Sequence, residues 1–530
     1  MSKQADEYVV GISNIQEKLA KFSHGSVLNR ALQHLDHKTE DAARDAFAMP
    51  WITMLLLKLS MLGASGSKEM NVGQFSAIAN QLYNLQAAAA ELGSGKFELK
   101  VRAMVQQQIF YQRDYVSELR ELMLQKSIFD RSDNYYCNVF QEEFGLTLDS
   151  FYKITSFVLV RLEAQSKGVV RMPISELVHF LCPSVPPRHL LAYIRLVSCE
   201  AEDLPSYMNE YRLEDIYVSE YFQETPFKYV PFILNGADMV ALNCRFCVTA
   251  ICNLVPELMK RERPAFKDQF GVDMEKRVGE IIGLLAADEL VFESELVVLL
   301  KKEGYTGKVV DFLVREGNDI TLIESKAIEP SDLLKCSTDP DTVERILTPS
   351  YIKAVHQVQS VAAALKRCKR FSNCTFRGLV VTFKDHYFFG GEVLDSIVDG
   401  KISAEIMKSH GAMPVPLSRI SYIPLQSFTS LIHCLKQAKQ NLASFLDAAC
   451  DGQADPGGAR FTLAHVVDEQ FKGMPMAWAA GIDGVAADHL EAMQSMLRHN
   501  LSHWRGNAQR LIEMHASLLR SLRPEYEALR

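Results

Sequence analysis

The chain has 530 residues, of which 48% are hydrophobic and 23% charged, and a formal net charge of −8. That length sets an expectation of two or three domains, each able to bury a core. The acidic balance excludes a global attraction to phosphate, so any nucleic-acid contact must come from a local patch. Eleven cysteines, with no apolar leader in Met1–Glu7, set the expectation of a reducing cytoplasm.

Residues 1–262 read as mostly helical. Pro50–Leu62 is too short to span a bilayer and contains Lys58, so it reads as a buried helix rather than a membrane segment. Phe75–Leu92 and Val101–Ser127 carry helical periodicity without Gly or Pro. Gly93-Ser-Gly-Lys96 has part of a phosphate-loop pattern, but Ala90 and Phe97 stand where Gly and Ser/Thr are required, so no nucleotide site is expected. Cys244 and Cys247, with Cys252 following, lack a second ligand pair and read as core cysteines. Pro264, after the polar run Lys260–Arg263, marks a boundary.

Phe270–Leu285 has helical spacing, with Val272, Val278, Ile282 and Leu285 as its apolar stripe and Glu275 on that stripe. Glu280 falls on the polar side with Asp273, Lys276 and Arg277. Val309–Val314 and Ile320–Ala327 are rich in strand-forming residues. Glu316-Gly-Asn-Asp319 between them signals a hairpin, because Gly317 can take φ > 0. A turn centred on Gly317-Asn318 sets Asp311 opposite Glu324, and alternation puts Lys326 on the face of Glu324. Facing carboxylates repel, and burying an unpaired one costs on the order of several kcal/mol. A divalent cation between them removes both problems, and hard oxygen ligands favour Mg²⁺ or Mn²⁺. Lys326 is placed to orient a metal-activated water or to neutralise phosphate charge.

Tyr351–Arg370 reads as a second helix, Phe376–Phe383 as a buried strand and Ile420–Leu425 as another. Residues 351–384 hold Lys353, Lys366, Arg367, Lys369, Arg370, Arg377 and Lys384 but no Asp or Glu, which suits a phosphate backbone. Asp451–Gly458 reads as a linker. Residues 459–530 follow as a helical module, most periodic over Asp488–Leu522, with His499 and His503 one turn apart as a surface or interface pair.

At Asp311 and Glu324-Ser325-Lys326 the chain resembles the PD-(D/E)xK phosphodiesterase superfamily, the restriction-endonuclease-like fold, with Val310 where the eponymous proline stands. The order helix, hairpin, helix, strand over about residues 265–440 agrees with that core. The resemblance implies that Asp311, Glu324 and the Ser325 backbone carbonyl hold Mg²⁺ or Mn²⁺ and that Lys326 serves the attacking water. It implies an acid on the first helix, for which Glu275 is a better candidate than Glu280. It implies a glutamine on the second; Gln357 and Gln359 both qualify, Gln357 fits better, and His356 is a lesser candidate.

The expected architecture is an α/β nuclease core over 263–445, with a mixed central sheet flanked by helices. A large all-α recognition or regulatory region precedes it over 1–262, and a small helical C-terminal module follows over 459–530. The expected activity is hydrolysis of nucleic-acid phosphodiesters, DNA favoured over RNA, with Lys353, Lys366, Arg367, Lys369 and Arg370 against the backbone. By analogy, chains of this build resemble cytoplasmic anti-phage defence effectors that answer to a protein or phage-derived trigger, some as homo-oligomers. The alternative is a catalytically inactive nuclease-like scaffold that binds nucleic acid or a partner.

Overall fold

The computed structural model describes residues 3–36, 49–90, 95–131, 134–165, 169–455, 457–474 and 482–522. Two compact units form: Met1–Ser94, Met104–Pro264 and Val485–Arg530 make the first, and Gly95–Ala103 with Ala265–Gly484 the second. Gly93 and Ser94 of the phosphate-loop-like stretch lie outside the described residues.

The first unit is helical but not all-α. Four short strands, β1 (Arg171–Pro173), β2 (Ser198–Glu200), β3 (Phe232–Asn235) and β4 (Asp238–Ala241), form a sheet in the order β1-β4-β3-β2. Strands this short carry too little alternation to register against helical surroundings. Val101–Ser127 is two helices, because Asp114 caps Tyr115–Phe129 by accepting from the Ser117 amide at 2.9 Å. Pro50–Leu62 is buried on every side, and Lys58 is tolerated there by an ion pair with Glu220 at 2.6 Å. No described helix is long and apolar enough to cross a membrane.

The expected separate C-terminal module is corrected. Residues 459–484 join the second unit, and the chain from Val485 joins the first. Its helices are anchored by buried polar contacts. Trp504 Nε1 donates to the Cys182 carbonyl at 2.9 Å, Asn500 Nδ2 to the Phe180 carbonyl at 2.8 Å, and His489 Nε2 lies 2.8 Å from Ser156 Oγ. A lone helix pair has no face that could satisfy these groups.

The second unit is a mixed α/β layer structure. β5 (Glu289–Phe292), β6 (Phe312–Glu316), β7 (Asp319–Lys326), β8 (Thr375–Thr382) and β9 (Ile420–Pro424) lie in that order. β5, β6 and β7 pair antiparallel, then β7, β8 and β9 parallel. Gly317, at φ +67°, makes the β6–β7 turn. Leu313, Leu322 and Val380 share a core with Val355, Val358 and Ala362 of the Lys353–Arg367 helix. Phe312, the residue before Leu313, meets Gly279 of the Phe266–Ile282 helix, so that helix covers the other face.

Gly95–Ala103 also packs into the second unit, which corrects the expectation that everything before 262 is separate. Arg102 is fully buried there: Nε donates to the His386 carbonyl at 2.8 Å, Nη1 to the Leu334 carbonyl at 2.7 Å, and the guanidinium lies 4.6 Å from the Phe388 ring centroid. Burial lowers its pKa to about 10. Arg102→Ala should destabilise the protein by about 3–5 kcal/mol, because two buried carbonyls lose charged donors and a large volume empties. Arg102→Met should cost clearly less by keeping the volume, a difference readable in urea midpoints.

Candidate metal centre

The site grows out of strand register. The Gly317 turn pairs Phe312 with Ile323 and Leu313 with Leu322. One step further stands Asp311 against Glu324, as the turn predicts. On the other side β5 pairs Phe292 with Phe312, so one step further stands Glu293 against Asp311. Val291, Leu313 and Leu322 face the Lys353–Arg367 helix; Glu293, Asp311 and Glu324 lie two residues from each, Glu293 and Glu324 after and Asp311 before, since β6 runs antiparallel to both neighbours. They therefore form a row where the apolar face of the sheet ends.

Glu275 reaches the same point from the Phe266–Ile282 helix. Glu275, Glu293 and Asp311 each bring a carboxylate oxygen within 4.8 Å of the others. Asp311 Oδ2 also accepts from the Ser325 amide at 2.6 Å. Glu324 is buried; one of its oxygens takes an ion pair from Lys326, and Oε2 has no hydrogen-bond partner. Lys326 Nζ donates to Gln357 Oε1 at 3.3 Å, and Gln357 Nε2 donates to the Val309 carbonyl at 3.2 Å.

Electrostatics matches this crowding. Burial, and then the charge of Glu324, pushes the Asp311 carboxyl well above the usual range. Burial raises Glu324 against the opposing pull of Lys326. Burial raises Glu275 too, with Glu293 adding to it. Buried like charges that raise one another mark a place suited to a cation or to proton transfer. The donor set fits a hard divalent ion: carboxylate oxygens, an orphaned buried oxygen on Glu324, and neither Cys nor His in the acidic group.

Several expected residues sit differently. Glu324 is turned to Lys326, the nearest cation, and the tightest acidic group has Glu293 in its place. The Ser325 amide is engaged by Asp311 Oδ2, which leaves the expected role of its carbonyl untouched. Glu280 pairs with Arg277. Val272 is exposed while Asp273 and Arg277 are buried, so the helix presents a face rotated from the expected stripe. Gln359 is a structural residue, exchanging hydrogen bonds with the Val415 backbone at 2.6 and 2.8 Å. His356 lies 3.2 Å from Glu405.

The basic segment divides. Lys353 begins the helix that carries Gln357 one turn later. Lys366 and Arg367 end that helix, roughly 13 Å beyond Gln357 at 1.5 Å per residue. Arg370 pairs with Glu289, whose strand partner is Arg315 at the hairpin end of the sheet, and Lys366 donates to the Pro414 carbonyl at 2.8 Å. Arg377 is buried between Asp319 and Asp447. Of the five expected backbone contacts, the structure brings only Lys353 beside the acids; Lys366, Arg367, Lys369 and Arg370 stand at the other end of the sheet or helix.

Glu293 was missed because it belongs to no motif. It opens the Glu293–Lys302 helix after a four-residue strand, and only the register of β5 would have pointed to it. No protein-family model, curated protein or solved structure matches this chain.

Proposed function

We propose that the second unit is a divalent-metal-dependent phosphodiesterase of the PD-(D/E)xK type acting on nucleic acid, DNA before RNA. The observation that carries this reading is the meeting of Glu275, Glu293 and Asp311, from three separate segments, with the Glu324–Lys326 pair close enough for the charge of Glu324 to act on Asp311. Asp311, Glu275 and Glu293 would hold the ion, and Glu324 would join them through its unpartnered Oε2. A bound Mg²⁺ or Mn²⁺ polarises a phosphoryl oxygen and acidifies water. Lys326 supplies a fixed positive charge at the reacting phosphate. Gln357, tied to the Val309 carbonyl, holds that ammonium in place. The reading extends, by analogy alone, to a defence effector.

The test is cleavage of single- and double-stranded DNA and RNA in Mg²⁺ or Mn²⁺ by wild type and by Lys326→Ala. Wild type should cut at least one substrate, and the variant should be slower by on the order of 10²-fold. Equal cleavage by both proteins overturns the site, and catalysis unaffected by EDTA overturns the metal.

A further inference from the structure

A second cluster of charge borders the acids, and it is positive. Lys308 and Lys353 are both exposed. Among the described residues neither has an acidic partner in an ion pair. The charge of Lys308 is the largest influence holding the Lys353 pKa below the usual lysine value; Lys326 acts in the same direction and Glu324 against it.

The chain builds this juxtaposition. Lys308 immediately precedes Val309, whose carbonyl accepts from Gln357 Nε2 at 3.2 Å. Lys353 lies one helical turn before Gln357 and shares its side of the helix. One hydrogen bond therefore draws the two lysines together. Tyr305 fixes the approach, donating from its hydroxyl to the Lys308 carbonyl at 2.7 Å. Gly307 leaves room for that ring, since a Cβ there would stand 2.5 Å from the Tyr305 hydroxyl. Two like charges held together cost free energy unless an anion shares them. The other hand of Gln357 takes Lys326, so the positive pair and the reacting centre are joined through one side chain.

We propose that Lys308 and Lys353 form a phosphate clamp beside the carboxylate centre, taking a phosphate group of the substrate next to the one that is cut. This rests on the phosphodiesterase reading for the identity of the substrate but not for the clamp itself. A lysine is a point charge without the planar fork of arginine, so the clamp reads phosphate and not base sequence. It therefore contributes to affinity and to placement of the strand.

The test has two arms. In the first, Asp311→Asn serves as a background for binding a fluorescein-labelled oligonucleotide, in single-stranded and duplex form, with and without a 5′-phosphate. Adding Lys308→Ala and Lys353→Ala should weaken binding about tenfold and flatten the salt dependence of log K by about two. Loss confined to the 5′-phosphorylated oligonucleotide assigns the clamp to a strand end, and equal loss on both assigns it to an internal phosphodiester. Unchanged affinity and slope overturn the proposal. In the second arm, ³¹P line broadening of inorganic phosphate is followed with wild type and with Lys308→Ala/Lys353→Ala. Broadening by wild type alone supports the clamp even where no oligonucleotide binds, in which case the nuclease reading falls and the clamp stands. Equal broadening by both proteins, or none by wild type, overturns it. Both lysines are exposed, so the double variant should keep the wild-type melting temperature; a lowered one would mark them as structural residues and also count against the clamp.

Discussion

Asp311→Asn is expected to slow metal-dependent cleavage by on the order of 10²–10³-fold and, in the same protein, to raise the melting temperature in EDTA. The two effects have one cause. Asp311 is crowded by Glu275, Glu293 and Glu324, and burial raises its pKa before their charges add to it. The asparagine keeps an oxygen to accept from the Ser325 amide, now 2.6 Å from Oδ2, and its NH₂ donates to neighbouring carboxylates that the aspartate repels. For a unit of this size each 1 kcal/mol of relief is about 2–4 °C of melting temperature. A residue kept for stability would give the opposite sign. A functional carboxylate held at the expense of stability gives this pairing of lost activity and gained stability.

The second large effect is on pH dependence. Asp311 and Glu324 both hold their protons to higher pH in the folded chain than in the unfolded one. Between those two values the native state binds more protons, so metal-free stability falls as pH rises out of the ordinary carboxylate range and through the raised values. The stabilisation is full below the unfolded pKa and is lost above the folded one. Divalent cations compete with those protons, so the rise in melting temperature given by Mg²⁺ or Mn²⁺ should grow over the same interval. In EDTA, Asp311→Asn combined with Glu324→Gln should flatten the melting temperature across that window. A wild-type protein whose metal-free stability climbs with pH there would contradict the assignment.

How much of this was legible in the sequence depends on range. The Gly317 turn is local, and it carried the β6–β7 register that sets Asp311 against Glu324. Lys58 could be read as buried because most residues around it are apolar, although its partner Glu220 is far away in sequence. Glu293 could not be read, because a four-residue strand leaves no periodic trace and the residue itself opens a helix. Arg377 counted as part of an acid-free basic stretch, yet Asp447 lies 70 residues on and buries it. Charge tallied along the chain also does not say which end of a helix faces a site: Lys353 and Lys366 share one helix and stand at opposite ends of it. The rotated face of the Phe266–Ile282 helix has a similar origin, since Asp273 and Arg277 are buried with polar partners that a hydrophobicity pattern ignores. The C-terminal helices read as independent because nothing local reveals that Trp504 and Asn500 are satisfied by backbone near residues 180–184.

The central claim is that these carboxylates hold a divalent cation, and direct titration with Mn²⁺, followed by its paramagnetic resonance signal, tests it most simply. Wild type should bind Mn²⁺ saturably and release it to Mg²⁺. Glu293→Gln should weaken that binding, and Asp311→Asn should abolish it. Saturable binding that survives Asp311→Asn unchanged, or none by wild type at neutral pH, would contradict the account.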